Sequence, residues 1–258
     1  MHLDLSGKRA IITGAGAGIG RKTAEVFLNA GAEVYICDID QDALESAKSN
    51  LPGLKGTLCD VSDSEALSDF LDQGIETLGG LDIMVNNAGT AGPTAPVEEV
   101  SLEDWYNCLN INVTSALIGT QKAIPELRKS GGGSIINLSS AAGKFGFPLR
   151  SPYSVAKFGI VGFTRTCAME LGPDRIRVNC IQPGPVEGDR INRVIQAKAE
   201  AAGISNNAMR DELVSITSLR SFVTPDDIAH QILFLCSEAG CHITGQSLSV
   251  DSGLEGLA

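Results

Sequence analysis

The chain has 258 residues, of which 43% are hydrophobic and 20% charged, and its formal net charge is −11. This length suits one α/β domain, and the composition is that of a globular protein rather than a disordered one. The acidic charge argues against nucleic-acid binding, and no apolar run reaches the about 18 residues that a membrane span needs. We therefore expect a single-domain cytoplasmic protein with no nucleic-acid or membrane partner.

Seven cysteines and three histidines are scattered along the chain, with no C-x-x-C pair and no metal-ligand spacing. An odd number of unpaired thiols suits a reducing compartment better than a disulfide framework. The sequence therefore predicts free cysteines and no metal site.

Short apolar runs alternate with segments of helical periodicity along the chain. The predicted strands are residues 8–13, 33–38, a run ending at 60, 82–86, 134–138, 176–181 and 247–250. The predicted helices are residues 21–30, 41–49, 64–77, 101–129, 154–171 and 225–236. Strands that alternate with helices form a parallel sheet covered on both faces. The prediction is an α/β fold, a single-domain, doubly wound, seven-stranded parallel sheet of the Rossmann type.

One segment, residues 187–222, lies outside this alternation and is helical in composition and rich in charge. It follows the sixth predicted strand, and it is either a packed pair of helices or a mobile lid. Charged helices are often solvated surface, but the position of this one favours a helical lid over the substrate.

A glycine-rich turn follows the first predicted strand, with glycines at positions 14, 16, 18 and 20. The spacing is neither G-x-G-x-x-G nor that of a P-loop. Glycines between a strand and a helix let the backbone turn tightly and present N–H groups to a pyrophosphate. The alternative is a glycine-rich turn that binds no ligand.

Asp38 ends the second predicted strand, about 20 residues beyond that turn, where an acidic side chain accepts hydrogen bonds from the adenosine ribose. Its charge would repel the 2′-phosphate of NADP, and no Arg or Lys at residues 15–17 offsets that charge. The other interpretation makes Asp38 a helix cap, a role that Asp40 fills as well. The sequence therefore predicts NAD as the cofactor.

Tyr153 and Lys157 are four residues apart, so a phenol and an ammonium share one face of a predicted helix. The ammonium favours the ionised phenol, which can take a proton from an alcohol. Ser140 ends the fifth predicted strand, where its hydroxyl can steady a substrate oxygen. Each feature alone is common in proteins without catalysis, but their conjunction at one edge of the sheet predicts an active site.

In order and spacing these motifs resemble the short-chain dehydrogenase/reductase family in its single-domain form. The resemblance covers nearly the whole chain and rests on T-G-x-x-x-G-x-G at 13–20, Asp60-Val61, N-N-A-G at 86–89, Asn112, Ser140, Tyr153-x-x-x-Lys157, Pro183-Gly184 and I-T-G-Q at 243–246. The chain departs from the family at Gly188, near which a Thr often contacts the nicotinamide amide, and at residues 251–253, where D-S-G replaces D-G-G.

The resemblance implies that Ser140, Tyr153, Lys157 and Asn112 form the catalytic set. By the same resemblance, Asn112 holds a water in a proton relay that passes through Lys157. The adenine is contacted by Asp60 and Val61, and Asn87 lies near a cofactor ribose. Lys157 also bonds the nicotinamide ribose, and Val186 meets the carboxamide. The whole set expected at the cofactor is Gly14, Gly18, Ile19, Gly20, Asp38, Asp60, Val61, Asn87, Gly89, Tyr153, Lys157, Pro183, Gly184 and Val186. The family also implies a homotetramer, packed through helices 101–129 and 154–171 and the C-terminal strand.

We therefore expect an NAD-dependent oxidoreductase that moves a hydride between a secondary alcohol or ketone and NAD(H), with Tyr153 as general acid and base. The substrate side is lined by loops at residues 90–96 and 141–152 and by the segment after 188. Phe145, Phe147 and Leu149 suggest an apolar wall there. Four cations could meet an anionic group of the substrate: Lys144, Arg150, Arg190 and Arg193. A small polyol, sugar or hydroxy acid is favoured as substrate, and hydroxyacyl thioesters and cyclic alcohols stay open. Two other classes also stay open: a non-catalytic NAD(H)-binding sensor, and an isomerase or dehydratase that uses NAD transiently.

Overall fold

A computed structural model describes residues 3–256, apart from the side chains at positions 189, 190, 197, 198 and 201. Seven strands form one sheet in the order β3-β2-β1-β4-β5-β6-β7. The strands are β1 (Arg9–Ile12), β2 (Glu33–Asp38), β3 (Lys55–Leu58), β4 (Ile83–Asn86), β5 (Gly133–Leu138), β6 (Ile176–Pro183) and β7 (Ser247–Val250). All the neighbouring pairs are parallel, which confirms the predicted sheet. The chain reverses its direction across the sheet between β1 and β4, where sheets of this kind bind ligands.

Helices cover both faces of the sheet, as predicted. They are α1 (Gly18–Asn29), α2 (Gln41–Asn50), α3 (Ser64–Leu78), α4 (Leu102–Leu109), α5 (Ser115–Lys129), α6 (Ser151–Leu171), α7 (Asp189–Ala202), α8 (Asn206–Ser215) and α9 (Pro225–Cys236). Apolar side chains of α1, α2 and α9 form one buried cluster with the sheet, and those of α3, α5 and α6 form a second on the opposite face.

Strand β2 illustrates why the sheet needs both helical layers. Val34 and Ile36 belong to the cluster beneath α1, whereas Tyr35 and Cys37 belong to the cluster beneath α3. Because successive side chains of a strand point to opposite faces, a strand that is apolar at every position is stable only when both faces are covered.

Two of the differences from the predicted helices have identifiable reasons. Helix α6 begins at Ser151 rather than at 154, because Pro152 fits the first turn of a helix. The predicted helix at residues 101–129 is divided into α4 and α5 by a π-turn at Asn110–Thr114. Hydrophobic periodicity does not distinguish an i→i+5 turn from an α-helical one, so the sequence gives no sign of it.

The predicted insertion contains α7 and α8, which share a small buried cluster of their own formed by Ile195, Ala199, Met209 and Phe222. Two isolated bridges fasten the segment to the rest of the chain, one between Val186 and Val223 and one between Thr217 and Leu254. Arg190, one of the cations expected near the substrate, lies outside the described side chains.

All seven cysteines are free, and six of them are buried. Within residues 3–256, no helix has both the length and the apolar character of a membrane span.

Candidate active site

The glycine turn joins β1 to α1 and lies against the residues that follow β4. Gly14 has a φ of 61°, and a Cβ added to it would lie 2.8 Å from the Ala88 Cα, so the position requires glycine. The Asn87 side chain secures the turn, because its Nδ2 donates to the carbonyls of Thr13 at 2.8 Å and of Gly14 at 2.7 Å.

The first turn of α1 has the features of an anion site. Its N-cap residue, Ala17, supplies no side-chain cap, and a Cβ on Gly18 would meet nothing within 4 Å. Uncapped N–H groups that face open space suit a pyrophosphate. Ile19 packs partly against the core, and Gly20 lies so close to the carbonyl of Gly14 that its Cβ would be 2.5 Å from that oxygen.

Asp38 lies between the glycine turn and α2. Its Oδ2 accepts a hydrogen bond from the Gly16 N–H at 2.8 Å, and its Oδ1 accepts one from the Asp40 N–H at 3.0 Å. The cap of α2 is Asp40, whose Oδ1 accepts from the N–H groups of Asp42 and Ala43. Asp38 is therefore placed at the end of β2 beside the turn, and Asp40 fills the capping role that was the alternative for it.

Asp60 and Val61 follow β3 at the same edge of the sheet. Asp60 is exposed and its Oδ1 accepts from the Ser62 N–H at 2.8 Å, while Val61 packs partly against the α3 cluster. The Asn110 side chain of the π-turn donates to the Ser62 carbonyl at 2.7 Å. This bond connects the loop after β3 to the turn that carries Asn112.

Tyr153 and Lys157 lie in the first two turns of α6, and Ser140 follows the end of β5. The Lys157 side chain is buried, its Nζ donates to the Leu138 carbonyl at 2.9 Å, and the same Nζ lies 5.5 Å from the centroid of the Tyr153 ring. Ser140 Oγ accepts a hydrogen bond from the Ala142 N–H at 3.1 Å. The half-buried phenol thus lies near a buried cation, and that cation is bonded to the strand end that leads to Ser140.

Asn112 is buried on the π-turn, with its amide group fixed at one end. Its Nδ2 donates to the carbonyls of Cys108 at 2.8 Å and of Thr90 at 3.0 Å, while no described atom donates to its Oδ1. A Cβ on Gly89 would lie 2.7 Å from that Oδ1 and 3.3 Å from the Lys157 Nζ. Asn112 and Lys157 therefore flank Gly89, and the buried oxygen is available to a polar partner.

Three thiols lie close to this edge. Cys37 and Cys59 are hydrogen-bonded to each other, which raises the pKa of the Cys37 thiol and lowers the pKa of Cys59. Burial raises the pKa of Cys108, against the smaller opposing effect of the Lys157 charge. Cys108 therefore remains a neutral thiol beside Asn112.

Strand β6 leads from this edge into the insertion. The Gly184 N–H, directly after Pro183, donates to the Val250 carbonyl at 2.9 Å, and Val186 then pairs with Val223. The next residue, Glu187, forms an ion pair with Arg210, and the Arg210 guanidinium lies 4.9 Å from the centre of the Phe222 ring. The expected cofactor residues of β6 are thus adjacent to the base of the α7–α8 segment.

Two cations that the sequence offered to an anionic substrate are bound to protein groups. Lys144 Nζ lies 3.3 Å from the buried Asp251 carboxylate and 4.9 Å from the centre of the Phe145 ring. The Arg150 guanidinium donates to the carbonyls of Ala91 at 3.3 Å and Gly92 at 3.2 Å. Both weaken the expectation of an acidic substrate.

A buried polar chain that the sequence did not predict runs beneath the site. Asn86 on β4 donates to Asn137 on β5 at 2.8 Å, and Asn137 donates to Thr164 on α6 at 3.0 Å. Ser139, directly after β5, donates from its Oγ to the Lys157 carbonyl at 2.8 Å. The one available signal was the presence of polar residues in otherwise apolar strands.

The fold and this cluster define a Rossmann-type domain with a serine, a tyrosine and a lysine at the carboxyl edge of its sheet. A family model described as enoyl-(acyl carrier protein) reductase matches residues 14–255. The 7alpha-hydroxysteroid dehydrogenase of Escherichia coli is 36% identical over 256 residues, which are 98% of this chain and 96% of that protein.

Two solved structures have the same fold. An NAD+-bound xylitol dehydrogenase superimposes with a TM-score of 0.90 at 28% identity, covering 96% of this chain and 99% of that one. The L-sorbose reductase of Gluconobacter frateurii, complexed with NADPH and L-sorbose, gives a TM-score of 0.93 at 29% identity, covering 99% of each chain.

The chain belongs to the short-chain dehydrogenase/reductase family, as its motifs predicted. It is therefore an oxidoreductase of small-molecule alcohol or carbonyl groups that works with a nicotinamide cofactor.

Proposed function

We propose that this protein is an NAD-dependent dehydrogenase of secondary alcohols, with Tyr153 as its general acid and base. The observation that carries the proposal is the placement of the Lys157 ammonium 5.5 Å from the Tyr153 ring centre, beside the strand end that carries Ser140. A pure binding protein has no need of a phenol, a hydroxyl and a buried ammonium at one point.

Ser140, Tyr153 and Lys157 have different roles in the proposed proton transfer. Ser140 holds the substrate oxygen, and Tyr153 removes the hydroxyl proton in oxidation and returns it in reduction. Lys157 places its ammonium 5.5 Å from the centre of the phenol ring and is proposed to bond the nicotinamide ribose. The bound nicotinamide supplies the hydride acceptor or donor.

Asn112 is proposed to hold the water through which that proton reaches solvent. Its Oδ1 is buried without a donor among the described atoms, and it flanks Gly89 together with the Lys157 ammonium. A buried acceptor of this kind costs free energy unless a partner such as water satisfies it.

The choice of NAD over NADP rests on Asp38. Its carboxylate lies against the Gly16 N–H, at the end of β2, where an acidic side chain accepts from ribose hydroxyls and repels a 2′-phosphate. We propose that the uncapped turn at Gly18 holds the pyrophosphate and that Asp60 and Val61 lie at the adenine. Val186, at the end of β6, is proposed to meet the carboxamide. The two structural relatives hold different cofactors, NAD+ in the xylitol dehydrogenase and NADPH in the sorbose reductase.

Small polyols and sugars are the favoured substrates. The xylitol dehydrogenase and the sorbose reductase match this chain over nearly its whole length, and Lys144 and Arg150 are engaged with protein groups rather than directed at an anion. A second candidate is a 3-hydroxyacyl thioester, which the acyl-carrier description of the matching family model favours. The steroid dehydrogenase relative supports cyclic alcohols in the same way.

We propose that the α7–α8 segment is the lid over the substrate. It leaves the sheet directly after Val186, and its apolar cluster is separate from the two clusters that cover the sheet. A segment packed in this way can move without disturbing the catalytic centre.

A homotetramer is proposed for the same chain. Large apolar side chains are exposed on α4 and α6, among them Leu102, Tyr106, Val155, Phe158 and Met169. Monomers seldom leave this many large apolar side chains exposed on two helices, and a second copy would bury them. Light scattering on the purified protein measures the mass directly, and a monomer would contradict this point.

The proposed function is tested by the rate at which the reduced cofactor forms with a panel of polyols, sugars, cyclic alcohols and 3-hydroxyacyl thioesters. Each alcohol is supplied with NAD+, which yields NADH, and separately with NADP+, which yields NADPH. Turnover of one class with NAD+ and little with NADP+ is the expected result. Binding of NADH without turnover of any alcohol would favour a sensor instead.

A further inference from the structure

Helix α6 is fastened to the end of β5 by three consecutive residues, the last two of the strand and the one that follows it. Asn137 donates from its side chain to Thr164 at 3.0 Å, the Leu138 carbonyl accepts from the Lys157 ammonium at 2.9 Å, and Ser139 donates from its Oγ to the Lys157 carbonyl at 2.8 Å. Lys157 is therefore held at both its main chain and its side chain by adjacent residues at the strand end.

The Ser139 bond is enclosed by the short turn that follows Ser140. Ser139 is buried, and a Cβ added to Gly143 would lie 2.4 Å from its Oγ and 2.6 Å from the Lys157 carbonyl oxygen. Solvent does not compete for a bond so tightly surrounded. The bond therefore helps to set the distance between the end of β5 and the first turns of α6.

We propose that Ser139 is a positioning residue that sets the geometry between Ser140, the next residue in the chain, and the phenol and ammonium on α6. In this role it acts through Lys157 and makes no contact with substrate or cofactor. The Ser139 tie can be removed by itself, because Ser139→Ala leaves every atom of Lys157, Ser140 and Tyr153 in place in the sequence.

The inference rests on the proposed function, because it concerns the site that the proposed reaction uses. When the Ser139 tie is lost, Lys157 and Tyr153 on α6 can shift relative to the strand end that leads to Ser140. Protein that still binds NADH should then turn over more slowly at each site. A serine that only contributes to folding would lower the number of NADH-binding sites and leave the turnover per site unchanged.

Ser134, near the start of β5, offers a matched control. It is as buried as Ser139, but its Oγ accepts a weak hydrogen bond from the Cys236 thiol of α9 at 3.8 Å, on the face of the sheet away from α6. Replacement of either serine by alanine removes one buried hydroxyl, near the start of β5 or directly after its end. Only one of the two replacements touches the tie to Lys157.

The test compares wild type, Ser139→Ala and Ser134→Ala in kcat per NADH-binding site, in the KM for NAD+ and in melting temperature. We expect Ser139→Ala to lower kcat per site about tenfold, since misplacements of 1 Å cost up to about a hundredfold. Its KM for NAD+ should change less than about twofold. Ser134→Ala should match the wild type in all the kinetic readouts.

The outcomes separate the two proposals. Equal kinetics in both alanine variants and an active wild type would overturn the role of Ser139 and leave the proposed function standing. A Ser139→Ala variant that melts much lower than Ser134→Ala and keeps the wild-type turnover per NADH-binding site would also overturn it, in favour of a structural role. A wild type that turns over no alcohol would overturn both.

Discussion

The end of β5 and the α7–α8 segment are held in place by different kinds of contact. At β5, a ladder of buried hydrogen bonds joins the strand to α6 and fixes Lys157 from two directions. The α7–α8 segment has its own four-residue apolar cluster, two isolated bridges and a partly exposed ion pair between Glu187 and Arg210. The first region is held by buried hydrogen bonds, whereas the α7–α8 segment packs on a cluster of its own, as the proposed lid requires.

This difference in packing suggests that the two regions serve proton transfer and substrate choice respectively. Proton transfer requires groups fixed to within a fraction of an ångström, which buried hydrogen bonds with satisfied partners provide. Substrate choice is made by surfaces that can change without loss of the fold, and a separately packed pair of helices supplies them. Changes at β5 and α6 should therefore lower kcat, and changes at the base of α7–α8 should alter substrate KM.

Among the variants that keep the Tyr153 phenol, the largest effect is expected from Lys157→Met, which keeps the aliphatic chain but removes the ammonium. Turnover should fall about a thousandfold, in the range that positioned acid–base groups contribute. Lys144→Met is the control, because the Lys144 ammonium is bound to Asp251 rather than to the catalytic cluster. Initial rates of NADH formation measure both variants. A Lys157→Met variant that keeps a tenth of the wild-type turnover would contradict the catalytic role given to the contacts between β5 and α6.

The cofactor end should respond through specificity rather than rate. Asp38→Ser removes the charge that repels a 2′-phosphate, and the kcat/KM ratio of NAD+ to NADP+ should fall about tenfold, or about 1.4 kcal/mol.

Asp40→Ser is the matched control for Asp38→Ser, because Asp40 accepts only from α2. Serine also caps helices, so this variant should leave both stability and the cofactor ratio nearly unchanged. An equal shift in the two variants would assign the effect to the loop rather than to the Asp38 charge.

The start of α7 provides a test of backbone strain. Gly188 has φ 135° and ψ −175°, a region that only glycine adopts readily, yet a Cβ there would meet nothing within 4 Å. Gly188→Ala should lower the free energy of unfolding by about 1–3 kcal/mol through the backbone alone. Chemical denaturation measures the change.

Gly162 offers the opposite sign as a control. It lies inside α6, and a Cβ there would also meet nothing within 4 Å. Gly162→Ala should stabilise the protein by about 0.5–1 kcal/mol. A Gly188→Ala variant as stable as the wild type would mean that the segment relaxes into another path.

The smallest effect is expected from Glu187→Gln, which removes the charge paired with Arg210. Exposed ion pairs contribute about 0.2–1 kcal/mol, so the KM for the alcohol should rise by no more than about fivefold while kcat stays the same. Asp72→Asn, which breaks a comparable pair with Lys122 on α3 and α5, should leave KM unchanged. A fall in kcat without a change in KM would reverse the roles assigned to the two regions.

The layered sheet could be predicted from the sequence because local patterns determine it. Strands such as β2 are apolar at each central position, and the intervening helices carry their own periodicity. The glycine turn, Asp38 and the Tyr153–Lys157 pair were found because their meaning depends on short spacings. The helical content of residues 187–222 followed in the same way from composition.

The remaining features depend on contacts between distant parts of the chain. Ser139 meets Lys157 eighteen residues later, and Asn110 meets Ser62 across 48 residues. No local pattern reports such bonds, and the π-turn that carries Asn112 has the same residue types as an α-helix. The partners of Lys144 and Arg150 likewise required the fold, and they changed the expected polarity of the substrate side.

Tyr153→Phe tests the central claim most directly, because it removes one oxygen atom and leaves Lys157, Ser140 and Asn112 unchanged. NADH formation from the best alcohol substrate should become undetectable against a wild-type control, while NADH binding, followed by its fluorescence, keeps nearly the wild-type Kd. A variant that binds NADH and retains most of its turnover would contradict the assignment of Tyr153 as the proton-transferring group.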